Sequence, residues 1–420
     1  MLLFSKLKKY ILEGNIYFNH IDIIHHTNNI IIPDSSQPIN LPNLPNYVLD
    51  LPEEIFYYIN GKLEYEAWYK NDKSHREGNL PAEIWYYENG QPKRQIWYKN
   101  DKYREGNLPA VIKYYQNGQL EEERWYKNGK YREGNLPAVI QYYQNGQLWI
   151  KSWYINGKLH REGDLPAVIK YYENGQLEEE RWYKNGKLHR EGDLPAHIKY
   201  YENGQFKFET WYKNGELNRE GDLPAIIEYY ENGQLYTQFW YKNGKQHREG
   251  DLPAFIQYYK NGQLEESWYI NGKLHREGDL PAHIKYYENG QFKFETWYKN
   301  DERHREGDLP AIIEYYENGQ LYTQFWYKNG KQHREGDLPA FIQYYKNGQL
   351  EESWYINGKL HREGDLPAHI KYYENGQFKF ETWYKNGKRH REGNLPAFIH
   401  YYENGQIREK IWYKNGNKLQ

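Results

Sequence analysis

His160, Arg161, Glu162 and Asp164 stand within five residues of one another, in the stretch "HREGDLPA". An imidazole, a guanidinium and two carboxylates at that spacing could serve as a general acid–base pair or hold a divalent metal. The same eight letters return at His189, His247, His275, His304, His333 and His361, with close variants from His75, Tyr103, Tyr131, Asn218 and His390. Arg and Glu recur in all twelve copies, whereas the histidine does not. A catalytic site is a local, asymmetric constellation on a scaffold. Twelve near-identical copies suit a joint, in which Gly and Asp set the turn and an Arg–Glu contact is laddered between neighbours. No catalytic residue, metal site or cofactor is therefore assigned, and the chain is read as a non-enzyme.

The elements that carry this stretch repeat with it. Prolines preceded by leucine, from Pro52 through Pro195 to Pro396, mark thirteen repeats of 28 or 29 residues. Residues 195–280 and 281–366 differ at three of 86 positions, namely Gly215/Asp301, Leu217/Arg303 and Asn218/His304. The array thus grew in blocks of three repeats. One repeat reads "PAVIKYYENGQLEEERWYKNGKLHREGDL" from Pro166. Two runs alternate with period two, Ala167 to Tyr172 and Leu177 to Tyr183, across an Asn-Gly pair that signals a type I′ hairpin. Ala167, Ile169 and Tyr171 share one face; Leu177, Glu179, Arg181 and Tyr183 share a face of the second run. No 3.6-residue period is present. The fold class is all-β: an extended antiparallel β-hairpin array, a twisted meander of two strands per repeat. Roughly 26 strands at ~4.8 Å each would give a ribbon of ~125 Å. Repeats from Pro81 and Pro109 are short by one residue in the connection, and those from Pro253 and Pro339 in the second strand, where a change of β-bulge would spare the register.

Composition agrees with a thin sheet. There are 47 Tyr and 15 Trp, one Met and no Cys. Missing cysteines exclude disulfides and thiol chemistry. A net charge of −2, from 56 basic and 58 acidic residues, gives no strong field toward nucleic acid or anionic lipid. No run approaches a membrane span, and "MLLFSKLKKYIL" lacks the order of a signal peptide. A soluble, non-secreted protein is expected.

The pieces "YYENGQL" and "WYKNGK" resemble the MORN-type repeat, closest to variant arrays of the bacterial antitoxin-repeat (YwqK-like) kind. Similar arrays occur in repeat proteins of giant DNA viruses. The likeness covers residues 50–417, and the "REGDLPA" segment is additional to the usual pattern. It implies a β-hairpin array with a scaffolding or binding role and no catalytic residue. For a viral chain it implies the host-cell cytoplasm or the virion.

Two domains follow. Residues 1–49 lack the repeat and are read as an N-terminal cap and linker; residues 50–420 are the array. The last strand gathers Arg408, Glu409 and Lys410, the usual defence of an open edge; sheet edges also offer a route to self-association. The leading reading is a scaffold that binds protein partners multivalently. The alternative is a ligand-binding array, for glycan or single-stranded nucleic acid, that stacks its ligand on rings. Its candidate ladder is Trp182 and Trp211 with the outward column His197, Ile226, Phe255, His283, Ile312, Phe341, His369 and Phe398. Exposure of Trp182 and Trp211 discriminates between the two.

Overall fold

The computed structural model describes residues 50–419; the expected N-terminal cap lies outside them. The chain forms two compact units. One runs to Arg161 and takes in Lys170–Gly175; the other holds Glu162–Ile169 and everything from Gln176. No helix occurs among the described residues, and the longer strands pair antiparallel within each unit as an open array of repeated hairpins.

The repeat from Pro195 shows the plan. Pro195 sits just ahead of a strand, where its missing N–H is tolerated. His197–Tyr200 pairs with Phe206–Thr210 through His197↔Thr210, Ile198↔Glu209 and Lys199↔Phe208. The same second strand then pairs with Ile226–Tyr229 of the next repeat through Thr210↔Ile226 and Phe208↔Glu228. Trp211 N–H donates to Ala225 O at 2.8 Å, and Ala225 N–H donates to Phe239 O at 2.7 Å, so the ladder runs unbroken into the following repeat.

One expectation is corrected by the turns. The main hairpin is not type I′. Gly204 has φ of 83° while Asn203 keeps a negative φ, and Gly204 N–H closes on Tyr201 O at 2.9 Å. This is a type I turn followed by a left-handed glycine, which brings a bulge. The register shifts between Lys199 and Tyr200, so that Tyr200 faces Phe206. The second run therefore does not keep one face. Phe206 lies with Tyr200 (ring centroids 5.4 Å apart), whereas Phe208 lies with His197 (4.7 Å). In the repeats from Pro253 and Pro339 the second strands Leu264–Ser267 and Leu350–Ser353 pair with no shift. The residue those repeats lack is the bulge residue, as the sequence suggested.

The joint adds strands to those the sequence indicates. The connection is itself a hairpin: Tyr212–Lys213 pairs with Glu216–Leu217. Here both central residues are left-handed, Asn214 at 53° and Gly215 at 89°, which is the type I′ geometry. Each repeat thus adds a separate two-stranded hairpin to the two longer strands that the sequence indicates, and those longer strands number 26 as expected.

The core is equally modular. Trp182, Ala196 and Ile198 form one buried cluster, with Tyr200 and Tyr212 packed on it; Trp268, Ala282 and Ile284 form another. Each nucleus joins the tryptophan of one repeat to the alanine of the next. Burying one such indole is worth about 5 kcal/mol as an upper figure. That must be spread over a whole repeat, so neighbours stabilise one another.

Gly204→Val should cost at least ~1–2 kcal/mol, because a β-branched residue is forced into the left-handed region. An added Cβ meets nothing within 4 Å, so the loss is backbone strain alone. Hydrogen exchange should rise around residue 204 and its two neighbouring repeats; an even rise along the array would contradict a nearest-neighbour fold.

Candidate functional site: the joint and its ladders

The "HREGDLPA" segment follows the small hairpin and leads into the next repeat. Its arginine is the centre of the arrangement. Arg219 lies flat on Trp211 of its own repeat, 3.8 Å from the ring centre. Its Nε and Nη2 donate to the two carboxylate oxygens of Asp193, one joint earlier, at 2.9 and 3.2 Å. Its Nη1 donates to Pro224 O at the head of the next repeat, at 3.2 Å. Trp211 Nε1 in turn donates to Asp193 O at 3.2 Å. One guanidinium therefore holds its own repeat, the joint before it and the strand after it. All twelve arginines lie over the tryptophan of their repeat, at 3.5–4.3 Å.

The expected Arg–Glu ladder is thus an Arg–Asp ladder. Glutamate points outward instead. Glu191 accepts from Lys184 Nζ at 2.8 Å and lies 2.9 Å from His189 Nε2; the lysine first, then the histidine, hold its carboxyl down at about 2. His189 Nδ1 accepts the N–H of Asn214, in the following repeat's hairpin, at 3.1 Å. Nδ1 is thus taken up by the backbone, while Nε2 is buried beside the Glu191 carboxylate. Asn218 stands in the same place in its repeat, and its Oδ1 accepts from Asn243 N–H at 3.0 Å.

Tyr103 and Tyr131 are not substitutes for this histidine. Tyr103 pairs with Tyr98, as Leu188 pairs with Tyr183. Arg104 N–H donates to Trp97 O at 2.9 Å, the bond that His189 N–H makes to Trp182 O. The missing residue of these joints is the histidine itself. Its acceptor is replaced by glutamate: Glu105 Oε1 takes Asn128 N–H at 2.8 Å and Glu133 Oε1 takes Asn156 N–H at 2.7 Å.

Trp182 and Trp211 are each 6 % exposed, and an arginine covers each ring. The column expected to face outward is half-buried at His197, Ile226, Phe255, His283, Ile312, Phe341, His369 and Phe398. Cross-strand rings account for this, as Phe239 lies 5.0 Å from Phe255 and Phe325 4.9 Å from Phe341. The histidines of the column reach back to the preceding repeat. His283 Nε2 lies 3.1 Å from Glu265, which also receives Lys285 at 3.0 Å and the Tyr259 hydroxyl at 2.7 Å. His369, Glu351, Lys371 and Tyr345 reproduce the cluster. Against its burial, the bond from His283 first and those from Tyr259 and Lys285 next bring Glu265 from 4.5 to about 2. Among the described residues no group of three or more His, Asp or Glu side chains could hold a metal ion.

What sequence reasoning passed over is the leucine of the joint. It served as a register mark, yet it is exposed in all thirteen repeats, from 40 % at Leu51 to 58 % at Leu136. A leucine that no repeat buries was detectable in the sequence only as an apolar residue inside a polar turn. Between successive joints runs an open groove of about 330 Å³ lined by Leu280, Trp297, Arg305 and Glu306.

Residues 82–100, 110–128, 167–185 and 397–417 match the family model of the MORN repeat variant. No curated protein matches the chain. Among solved structures, the crystal structure of TcdB2-TccC3 aligns at 11 % identity over 87 % of this chain and 22 % of that one, with a TM-score of 0.11. Alternansucrase in complex with isomaltononaose aligns at 14 % identity over 71 % of this chain and 16 % of that one, with a TM-score of 0.12. The chain thus spans about a fifth of the length of these proteins. Likeness at this level says nothing of this chain's fold or partners.

Two predictions test the joint. The Arg219 side chain is 13 % exposed but Asp193 is 49 % exposed, so solvent screens the pair and the stack carries much of the effect. Arg219→Ala should cost about 2–3 kcal/mol locally, and Arg219→Lys should recover less than half, since an ammonium offers no fork and no planar face. Hydrogen exchange across residues 193–225 reads this; a loss under ~0.5 kcal/mol would place the joint's stability elsewhere. The second prediction concerns acid. Glu265 and Glu351 have folded values of about 2 against 4.5. A depressed carboxylate contributes stability above its unfolded value and loses it as pH falls through the folded one. Denaturant midpoints should therefore hold above pH 4.5 and fall between 4.5 and about 2, and Glu265→Gln with Glu351→Gln should flatten that fall.

Proposed function

The chain is a MORN-type repeat protein, and on that premise we propose that it is a non-enzymatic scaffold that binds protein partners at many joints at once. Repeats of this type are binding modules. No helix among the described residues is long and apolar enough to cross a membrane. The observation that carries the reading is the column of exposed leucines. Leu194, Leu223, Leu252, Leu280 and Leu309 are 42–45 % exposed and recur once per repeat. An exposed leucine adds little to the fold and lowers solubility, so its presence in every joint fits a surface meant to be covered. Four of these five joints also carry a lysine–glutamate pair, such as Lys213 with Glu220 at 2.7 Å, which supplies a polar rim. Weak contacts repeated at a fixed spacing gain through effective concentration.

A second reading, an array for glycan or single-stranded nucleic acid, draws on a different feature. Tyr98, Tyr103, Tyr126, Tyr131 and Tyr154 stack in a continuous row with centroids 4.0–5.1 Å apart. These rings are half-buried and already face one another, which favours the scaffold.

The triple variant Leu223→Ser, Leu252→Ser, Leu280→Ser tests the proposal. Exposed sites of this kind change stability by about 0.5 kcal/mol or less each. The circular dichroism should therefore match the parent, while proteins captured by the parent from its native cell extract are lost. Equal capture by parent and variant would remove the leucine column from any binding role.

A further inference from the structure

Each repeat places an asparagine at two turns, and the two are held differently. In the main hairpin the Asn203 amide is gripped from both sides. Its Oδ1 accepts from Gln205 N–H at 3.0 Å, and its Nδ2 donates to Glu231 O of the next repeat at 2.9 Å. The following amide, Gly204 N–H, is tied to Tyr201 O at 2.9 Å. In the small hairpin the exposed Asn214 makes no side-chain hydrogen bond, but Gly215 N–H is tied to Leu188 O of the preceding joint at 2.8 Å. Gly244, Gly330, Gly387 and Gly416 are tied in the same way, at 2.9, 3.0, 2.8 and 2.9 Å.

Two small hairpins lose that tie. They are the ones that follow the shortened joints at Tyr103 and Tyr131. There the approach runs through Glu105 to Asn128 N–H and through Glu133 to Asn156 N–H. Neither Gly129 N–H nor Gly157 N–H has a hydrogen-bond partner among the described residues, and both Asn-Gly pairs are exposed.

That combination has a chemical consequence. The deprotonated amide nitrogen of a glycine can attack the side-chain carbonyl carbon of the asparagine before it. A C–N bond forms, and the Nδ2 nitrogen leaves as ammonia with the proton the glycine gave up. Water then opens the five-membered imide at either carbonyl to give aspartate or isoaspartate. The balance is one water consumed and one ammonia released, with no oxidant or cofactor. The reaction needs an amide nitrogen not engaged as a donor and a side chain free to rotate. Glycine permits it because no Cβ blocks the approach. We propose that Asn128 and Asn156 are sites of spontaneous deamidation in the folded protein, set apart from turns of the Asn214 and Asn203 kinds by the shortened joints. Each conversion puts a new carboxylate beside Glu105 or Glu133, where like charges repel and loosen the contact between hairpin and joint.

The intact chain is incubated in mildly alkaline buffer, and each asparagine is followed by peptide mapping that separates aspartate from isoaspartate. A parallel sample is kept in concentrated urea. In the folded protein Asn128 and Asn156 should convert first, turns of the Asn214 kind later and turns of the Asn203 kind last. In urea all Asn-Gly pairs should converge on one rate. The ranking persisting in urea, or Asn203 turns keeping pace with Asn128 in the folded chain, would overturn the proposal. Gly129→Asp reproduces the Asn300–Asp301 turn, whose φ values of 53° and 72° this fold already accepts. It should abolish the fast conversion at Asn128 and leave Asn156 unchanged. An unchanged rate at Asn128 in that variant would also overturn the proposal.

Discussion

The array depends on covering a tryptophan in a protein with no thick core. A single sheet of four- and five-residue strands cannot surround an indole by itself. Trp211 has Ala225 of the next repeat beside it, which is completely buried, and its outer face would meet water without Arg219. The guanidinium solves this because it is planar, weakly hydrated and able to bond at its edge while stacking on its face. The edge bonds reach Asp193 and Pro224 O, so the group that shields the core also sets the distance between joints. An aliphatic cover would shield the ring and leave the spacing undefined.

The same economy governs the other ladders. Tyr200 donates its hydroxyl to Glu180 at 2.8 Å in the repeat before, and Tyr201 donates to Tyr229 O at 2.9 Å in the repeat after. Amphipathic rings cover the sheet with their bodies and join repeats with their tips. These bonds stay within a repeat, as from Tyr259 to Glu265, or link nearest neighbours. Stability therefore adds up repeat by repeat, and one repeat can change length without disturbing distant ones. The repeats from Pro253 and Pro339 do so by dropping a bulge, and those from Pro81 and Pro109 by dropping the joint histidine.

Much of this was legible in the sequence, for physical reasons that also mark where legibility ended. Period-two alternation and Asn-Gly pairs identified the hairpins, because both are local. The type of turn was not local. Asn203-Gly204 and Asn214-Gly215 are the same dipeptide, yet one closes a bulged type I turn and the other a type I′ turn. The register of the strands to be joined decides between them. The bulge also moved Phe206 and Phe208 to opposite faces, which no alternation pattern could show. Arg219 is legible as a fixed residue of the joint, but its partner in the neighbouring repeat is the aspartate and not the glutamate. Asp193, 26 residues earlier, becomes a neighbour only once the repeats are stacked.

The histidines show why a dense set of reactive side chains is weak grounds for chemistry in a repeat protein. In "HREGDLPA" the four ionisable groups look convergent on paper. In the fold they diverge: Arg190 turns to Asp164 and Trp182, Glu191 turns to Lys184, and His189 spans from Glu191 to the backbone of Asn214. Each turns toward a different partner, and the pattern recurs along the array. A catalytic base needs a lone pair facing a substrate, and a metal needs several donors facing one point; a ladder distributes its donors along its length. The joint leucine has the opposite character. It has no reactive atom and drew no attention as chemistry, yet it is the group that the stacked array leaves uncovered at every step. In a one-dimensional fold, stacking pairs the charged side chains of each joint with neighbours and leaves the leucine exposed.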